Sequence, residues 1–203
     1  MRVLADRRIY DLLEEMATSA KTWHVATATG TDLGGRVAKV SSRAVILEEQ
    51  RSPYAITFPV RVHCPVGVVD VEGVIAIDHQ AMPPIKIDVA PRVVFENDRV
   101  ARVEGGREAE EYRKALEANE QRWGEKANYL DSWHGGLHPS APNVPGFIGH
   151  GCCARMHFHV GRSDTYTGAG IINHTLRMDA RTIVDRGKLA LLDDPEVGKA
   201  VEL

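Results

Sequence analysis

Cysteine is scarce in this chain, and so are long apolar runs, aromatic residues and any excess of one charge. The three cysteines are one isolated residue, Cys64, and an adjacent pair, Cys152 and Cys153. That set is too small and too unevenly spaced for a disulfide framework or a zinc ribbon, so the sequence suits a reducing, cytoplasmic setting. The expected role of the pair is as small buried apolar groups. No run of roughly eighteen apolar residues occurs, so no membrane-spanning helix is expected. The N-terminal "MRVLADRRIYDLLEEMATSA" interrupts Leu4, Ile9, Leu12, Leu13 and Met16 with charges, the pattern of an amphipathic helix and not of a leader peptide. Formal net charge is −3 with both signs mixed along the chain, which leaves no basic face for nucleic acid. "GTDLGG" has no Walker lysine after it, and "SSR" and "GRS" lack a nucleophile elbow. Internal repeats and low-complexity tracts are missing too.

What is present is enough apolar material, 43% of 203 residues, for one well-buried core, so residues 1–203 are expected to form a single domain. The first half carries β-branched runs punctuated by Gly30, by Gly34-Gly35 and by Asn97-Asp98, which predicts antiparallel strands joined by tight turns, the last of them a hairpin. "REAEEYRKALEANEQRWGEKANYL" places Tyr112, Leu116 and Trp123 near helical spacing and predicts a long helix. The Gly/Pro-rich "DSWHGGLHPSAPNVPG" after it reads as a loop. Further strands and a short closing helix, capped by Asp193 or Asp194 ahead of Pro195, complete the expectation. The fold class is α+β with an antiparallel-rich sheet, a long helix before the metal-site loop and a short C-terminal helix.

Histidine is the residue that clusters. Of nine in the chain, six (His134, His138, His150, His157, His159 and His174) fall between residues 134 and 174. In "GCCARMHFHVG" a strand period of two puts His157 and His159 on one face and Phe158 on the other. A third or fourth imidazole is available from His134 or His138 in "WHGGLH" and from His174 in "NHTLRMD". Such a set suits Zn, Fe(II), Mn or Cu without thiolate ligands. The alternative is a polar strand face with no metal. His150 in its glycine-flanked turn and His24, His63 and His79 in the first half are expected to be structural. Cys153 shares the odd-numbered face of the strand. Asp179, five residues past His174, falls on the opposite face of a regular strand and is a poor ligand. Tyr166 and Asp164 in "GRSDTYTGAG" are placed to orient a substrate or relay a proton over the site.

The order of "GTDL", "VEGVIAID", "VVFENDRVARVEGG", the helix, "NYLDSWHGGLHP", "MHFHVG" and "RTIVDRG" resembles the catalytic half of the thermophilic metallo-aminopeptidase-like proteins. That superfamily also contains 2,5-dihydroxypyridine 5,6-dioxygenases, which use Fe(II). The resemblance spans roughly residues 20 to 190 and implies a metal held between the segment after the long helix, the His157 strand and the strand after it. In the peptidase branch a glutamate of an "AELGIGTNP" run is a ligand; here Asp131, Ser132 and His134 stand near that place. His157 resembles the histidine of a "VHIALG" run. Where both branches carry His-x-Asp, this chain has His174-Thr175-Leu176, so the aspartate is missing. The resemblance also implies that the chain begins at the catalytic half, without the family's N-terminal α/β domain, as a short stand-alone variant, a fragment or one subunit whose partner supplies the missing wall; a homo-oligomer is the expectation.

Two metal ions need bridging carboxylates, whereas a histidine-rich set suits one. The sequence-level expectation is therefore a mononuclear metal enzyme acting on a small molecule: an Fe(II) ring-cleaving dioxygenase for a hydroxylated (N-hetero)aromatic, with His134, His157, His159 and His174 as ligands, His138 as base and Tyr166 orienting the substrate. A Zn- or Mn-dependent hydrolase, aminopeptidase- or amidase-like, is the alternative, and a non-catalytic homologue is the third.

Overall fold

The computed structural model describes residues 15–16, 18–40, 63–136, 143, 152–161 and 166–193. Among the described residues twelve strands form one antiparallel sheet: β1 (Thr22–Ala26), β2 (Asp32–Val40), β3 (His63–Ala76), β4 (Gln80–Met82), β5 (Arg92–Glu96), β6 (Arg99–Glu104), β7 (Leu130–Gly136), β8 (Arg155–Val160), β9 (Thr167–Ile172), β10 (Thr175–Met178), β11 (Arg181–Asp185) and β12 (Lys188–Leu189). Their order is β12-β11-β10-β1-β2-β3-β7-β8-β9-β4. The fourteen-residue β3 forks: its first half pairs with β7 and its second half with β5, which in turn carries β6.

The antiparallel sheet is as expected, but the architecture is more sheet-dominated than α+β conveys. Among the described residues one long helix, α1 (Arg107–Trp123), accompanies the sheet. It buries Ala109, Tyr112 and Leu116 at helical spacing. Trp123, expected on that face, is the last helical residue and is 43% exposed, with the Arg122 guanidinium over its ring. Gly124, at φ 73°, ends the helix. Asn119 donates to Thr167 Oγ1 at 2.8 Å, tying the helix to the start of β9. The predicted first helix is described only at residues 15, 16, 18 and 19, which are helical. A 3₁₀ turn over Ala190–Asp193 precedes the predicted closing helix, which itself, beyond its candidate cap Asp193, lies outside the described residues. No helix among the described residues is long and apolar enough to cross a membrane.

Turn chemistry is obeyed at Asn97 and Asp98, whose φ values of 50° and 70° give the mirror-image turn that matches strand twist. Asp98 also accepts the Val71 amide at 2.6 Å, docking the hairpin tip on β3. The predicted turn at Gly34-Gly35 is instead the middle of β2. These glycines are needed for close approach: a Cβ on Gly35 would lie 2.9 Å from the Val69 carbonyl oxygen, and one on Gly34 3.0 Å from that of Trp23. Likewise "DSWHGG" is not loop but strand β7, hydrogen-bonded on both edges, to β3 and to β8. Two ladders of backbone bonds outweigh the poor strand propensity of Gly135 and Gly136.

Core packing fixes the register that matters. Trp133 of β7 lies opposite Phe158 of β8, which lies opposite Ala169 of β9, and all three are fully buried. Met156, Val160 and Ile171 join them in the core cluster. A slip of one residue in β8 would send Phe158 to the other face and the histidines into the core, so apolar burial sets the direction of His157 and His159.

Candidate metal centre

With Trp133 and Phe158 turned inward, strand alternation sends Ser132 and His134 of β7, and Arg155, His157 and His159 of β8, to the other face. The register puts His134 opposite His157 and Ser132 opposite His159. The imidazoles lie side by side, with ring centroids 4.7 Å apart for His134 and His157, 4.2 Å for His134 and His159, and 5.3 Å for His157 and His159. Each ring offers a nitrogen, and those nitrogens lie within 4.8 Å of one another. Bound to one cation at about 2.1 Å each, the nitrogens would sit closer than that, so loading asks the side chains to turn toward a common point.

The donor set fits a divalent metal of intermediate softness. No carboxylate or thiol joins the three among the described residues. His159 is nearly buried, while His134 and His157 are partly exposed, leaving one side open. Tyr166 stacks on His159 with centroids 3.7 Å apart and planes 12° from parallel. Burial raises the Tyr166 pKa above its ordinary value, so the phenol stays protonated at neutral pH and offers an O–H. The Ser132 hydroxyl lies 3.4 Å from His134 Nε2, at the long end of hydrogen bonding. On the other side of β8, Gly170 faces His157 and Gly168 faces His159. Two register positions beside the imidazoles therefore carry backbone only.

No protein-family model and no curated protein sequence matches the chain. Among solved structures it is similar to 2,5-dihydroxypyridine dioxygenase from Pseudomonas putida, with a TM-score of 0.72 over 95% of this chain and 60% of that one, at 16% identity. It is also similar to AmpT from Thermus thermophilus, with a TM-score of 0.56 over 88% of this chain and 52% of that one, at 13% identity. What is shared is the fold. The chain thus spans little more than half the length of either protein.

On this fold the sequence-predicted residues separate. His134, His157, His159 and Tyr166 come together. His174 is not brought to the group: it follows β9 beyond Ile172, the residue opposite Arg155, and lies where the Gly187 amide bonds its carbonyl at 2.9 Å. It is fully buried, and among the described residues neither of its ring nitrogens has a hydrogen-bond partner. His138, His150 and Asp164 lie outside the described residues. Both Cys152 and Cys153 are buried, and the Cys153 thiol donates to the Gly187 carbonyl at 3.1 Å, in keeping with a packing role. The Asp179 carboxylate accepts from the Lys21 and Thr22 amides and the Thr22 hydroxyl, closing the end of β1.

Desolvation pushes the His174 pKa down to about 4, from 6.5 in the unfolded chain. Below pH 6.5 the unfolded chain binds a proton that the folded one does not, so stability falls as pH drops from 6.5 toward 4, by about 1.4 kcal/mol per pH unit and roughly 3 kcal/mol in all. Urea titrations across that range should show this slope in the wild type and its loss in His174→Gln. An identical slope in both proteins would contradict a buried neutral imidazole.

Proposed function

We propose that the chain is a mononuclear metal-dependent enzyme, and that its chemistry is Fe(II)-dependent ring-cleaving dioxygenation of a small hydroxylated aromatic or N-heteroaromatic. The observation that carries this reading is the convergence of His134, His157 and His159, from two adjacent strands, with no carboxylate among the described residues. Likeness to a solved dioxygenase supports it at the level of fold. The three imidazoles would hold the ion in neutral form, each using one ring nitrogen. Fe(II), when bound, supplies an electron path between a chelating ring and O₂.

The remaining roles belong to the protein's own groups. Gly168 and Gly170 leave bare backbone beside the histidines, on which a flat ring can lie without meeting a side chain from β9. The Tyr166 phenol, held parallel to His159, donates a hydrogen bond that orients a ring oxygen. His138 remains the proposed base for the ring hydroxyl. A homo-oligomer in the cytoplasm is part of the same proposal.

A hydrolase using Zn or Mn is the second reading, favoured by the likeness to AmpT and disfavoured because no carboxylate of the kind a two-metal site needs joins the three histidines among the described residues. Anaerobic purification, Fe(II) loading and metal quantitation, followed by an oxygen-electrode assay with 2,5-dihydroxypyridine and with catechol, test the proposal. We expect one iron per chain and loss of ring absorbance matched by O₂ uptake. Amide hydrolysis that needs no O₂ would replace it with the second reading, and a chain that takes up no metal would be a non-catalytic homologue.

A further inference from the structure

Arg155 begins β8 and projects from the same face as His157 and His159, two and four residues on. It is 5% exposed, unusual for a guanidinium. A buried arginine is ordinarily matched by a carboxylate, because removing the charge from water costs several kcal/mol that only a paired, well-bonded geometry offsets. Here no such match exists among the described residues. Nε donates to the Asn143 side-chain oxygen at 2.7 Å, and Nη1 is buried with no hydrogen-bond partner. The positive field is felt by its surroundings: after desolvation, Arg155 is the cause that holds the His79 pKa below its ordinary value.

From this buried charge, unmatched among the described residues, on the histidine face we infer that Arg155 is the anchor for a carboxylate on the substrate, so that a hydroxylated aromatic acid is bound in preference to a neutral ring. The guanidinium fork is suited to a planar carboxylate, and pairing completes the hydrogen bonding of Nη1. Spacing agrees. Successive same-face residues on a strand are about 7 Å apart, a distance that one six-membered ring spans between an anionic group at Arg155 and oxygens at His157. Gly170, opposite His157, keeps the path between them clear of a β9 side chain. The signal was readable in "RMHFHV", where arginine occupies the odd-numbered face, but its burial was not.

This inference rests on the small-molecule metal-enzyme reading for the ring's far end, yet the anion site can be tested apart from it. Calorimetry under anaerobic conditions would compare 3,4-dihydroxybenzoate with 3,4-dihydroxybenzamide, on the protein as purified and after Fe(II) loading, for wild type, Arg155→Gln and Arg155→Lys. The wild type should bind the acid at least tenfold more tightly than the amide. Arg155→Gln should lose that preference with its metal content unchanged, and Arg155→Lys should keep part of it. Equal affinity for acid and amide in the wild type, binding of neither, or an undiminished preference in a folded Arg155→Gln overturns the assignment. The wild-type comparison needs no variant, so the inference can be refuted even if a substitution prevents folding. A preference for the acid in a protein that takes up no metal would uphold the anion site and remove the dioxygenase reading; iron-dependent ring opening with equal affinity for acid and amide would do the reverse.

Discussion

Replacing His159 by alanine is expected to weaken metal binding by at least about 100-fold, because losing one ligand of three exceeds the cost measured for groups that merely support a ligand. Its ring is central to the group, within 5.3 Å centroid to centroid of both His134 and His157 and stacked on Tyr166. The substitution also removes the Tyr166 contact, a loss of about 1 kcal/mol that leaves the folded state well populated. Competition titration with a metal indicator, on protein checked by circular dichroism, gives the number. His174→Gln serves as the comparison, since that residue is not brought to the group and should leave affinity within a fewfold of wild type. Were His159→Ala to bind metal as tightly as wild type, the three-histidine centre would be abandoned.

The second large effect concerns the frame. Gly73, at φ 122°, lies opposite Leu33 where β3 pairs with β2, and a Cβ there would sit 2.2 Å from the Asp32 carbonyl oxygen and 3.0 Å from the Leu33 Cα. No flexible side chain can yield at this point; both obstacles are backbone. Gly73→Ala therefore combines a strained backbone with forced separation of two paired strands, on the order of 3–5 kcal/mol together. A domain of this size has roughly 5–15 kcal/mol in total, so the variant should show a much lower urea midpoint or fail to accumulate. A midpoint equal to the wild type's would mean that the strands do not approach as described. The consequence reaches the metal centre, because β3 is also the strand against which β7 and its His134 are aligned.

These two sites differ in how far they could be read from sequence. Alternation around Phe158 was enough to place His157 and His159 on one face, since a two-residue period depends on backbone geometry alone. Asn97-Asp98 announced its hairpin because few residue pairs accept two left-handed conformations in succession. His134 was a candidate, but on a supposed loop: Gly135 and Gly136 disfavour a strand locally, and only partners on both edges make one. At Gly34-Gly35 the same residue type signalled a turn where the structure uses it for strand contact. Glycine marks a need for space or for an unusual torsion, and which of the two applies depends on what lies nearby in three dimensions.

Composition and local periodicity by themselves determined that this chain builds antiparallel strands and one strong helix around an apolar core, and that imidazoles crowd its second half. These follow from propensities and repeat lengths that act over a few neighbouring residues. Which histidines meet, that His174 is buried elsewhere, and that Arg155 is buried on the histidine face with no carboxylate partner among the described residues were decided only by tertiary structure, because strand register and desolvation arise between segments far apart in the chain.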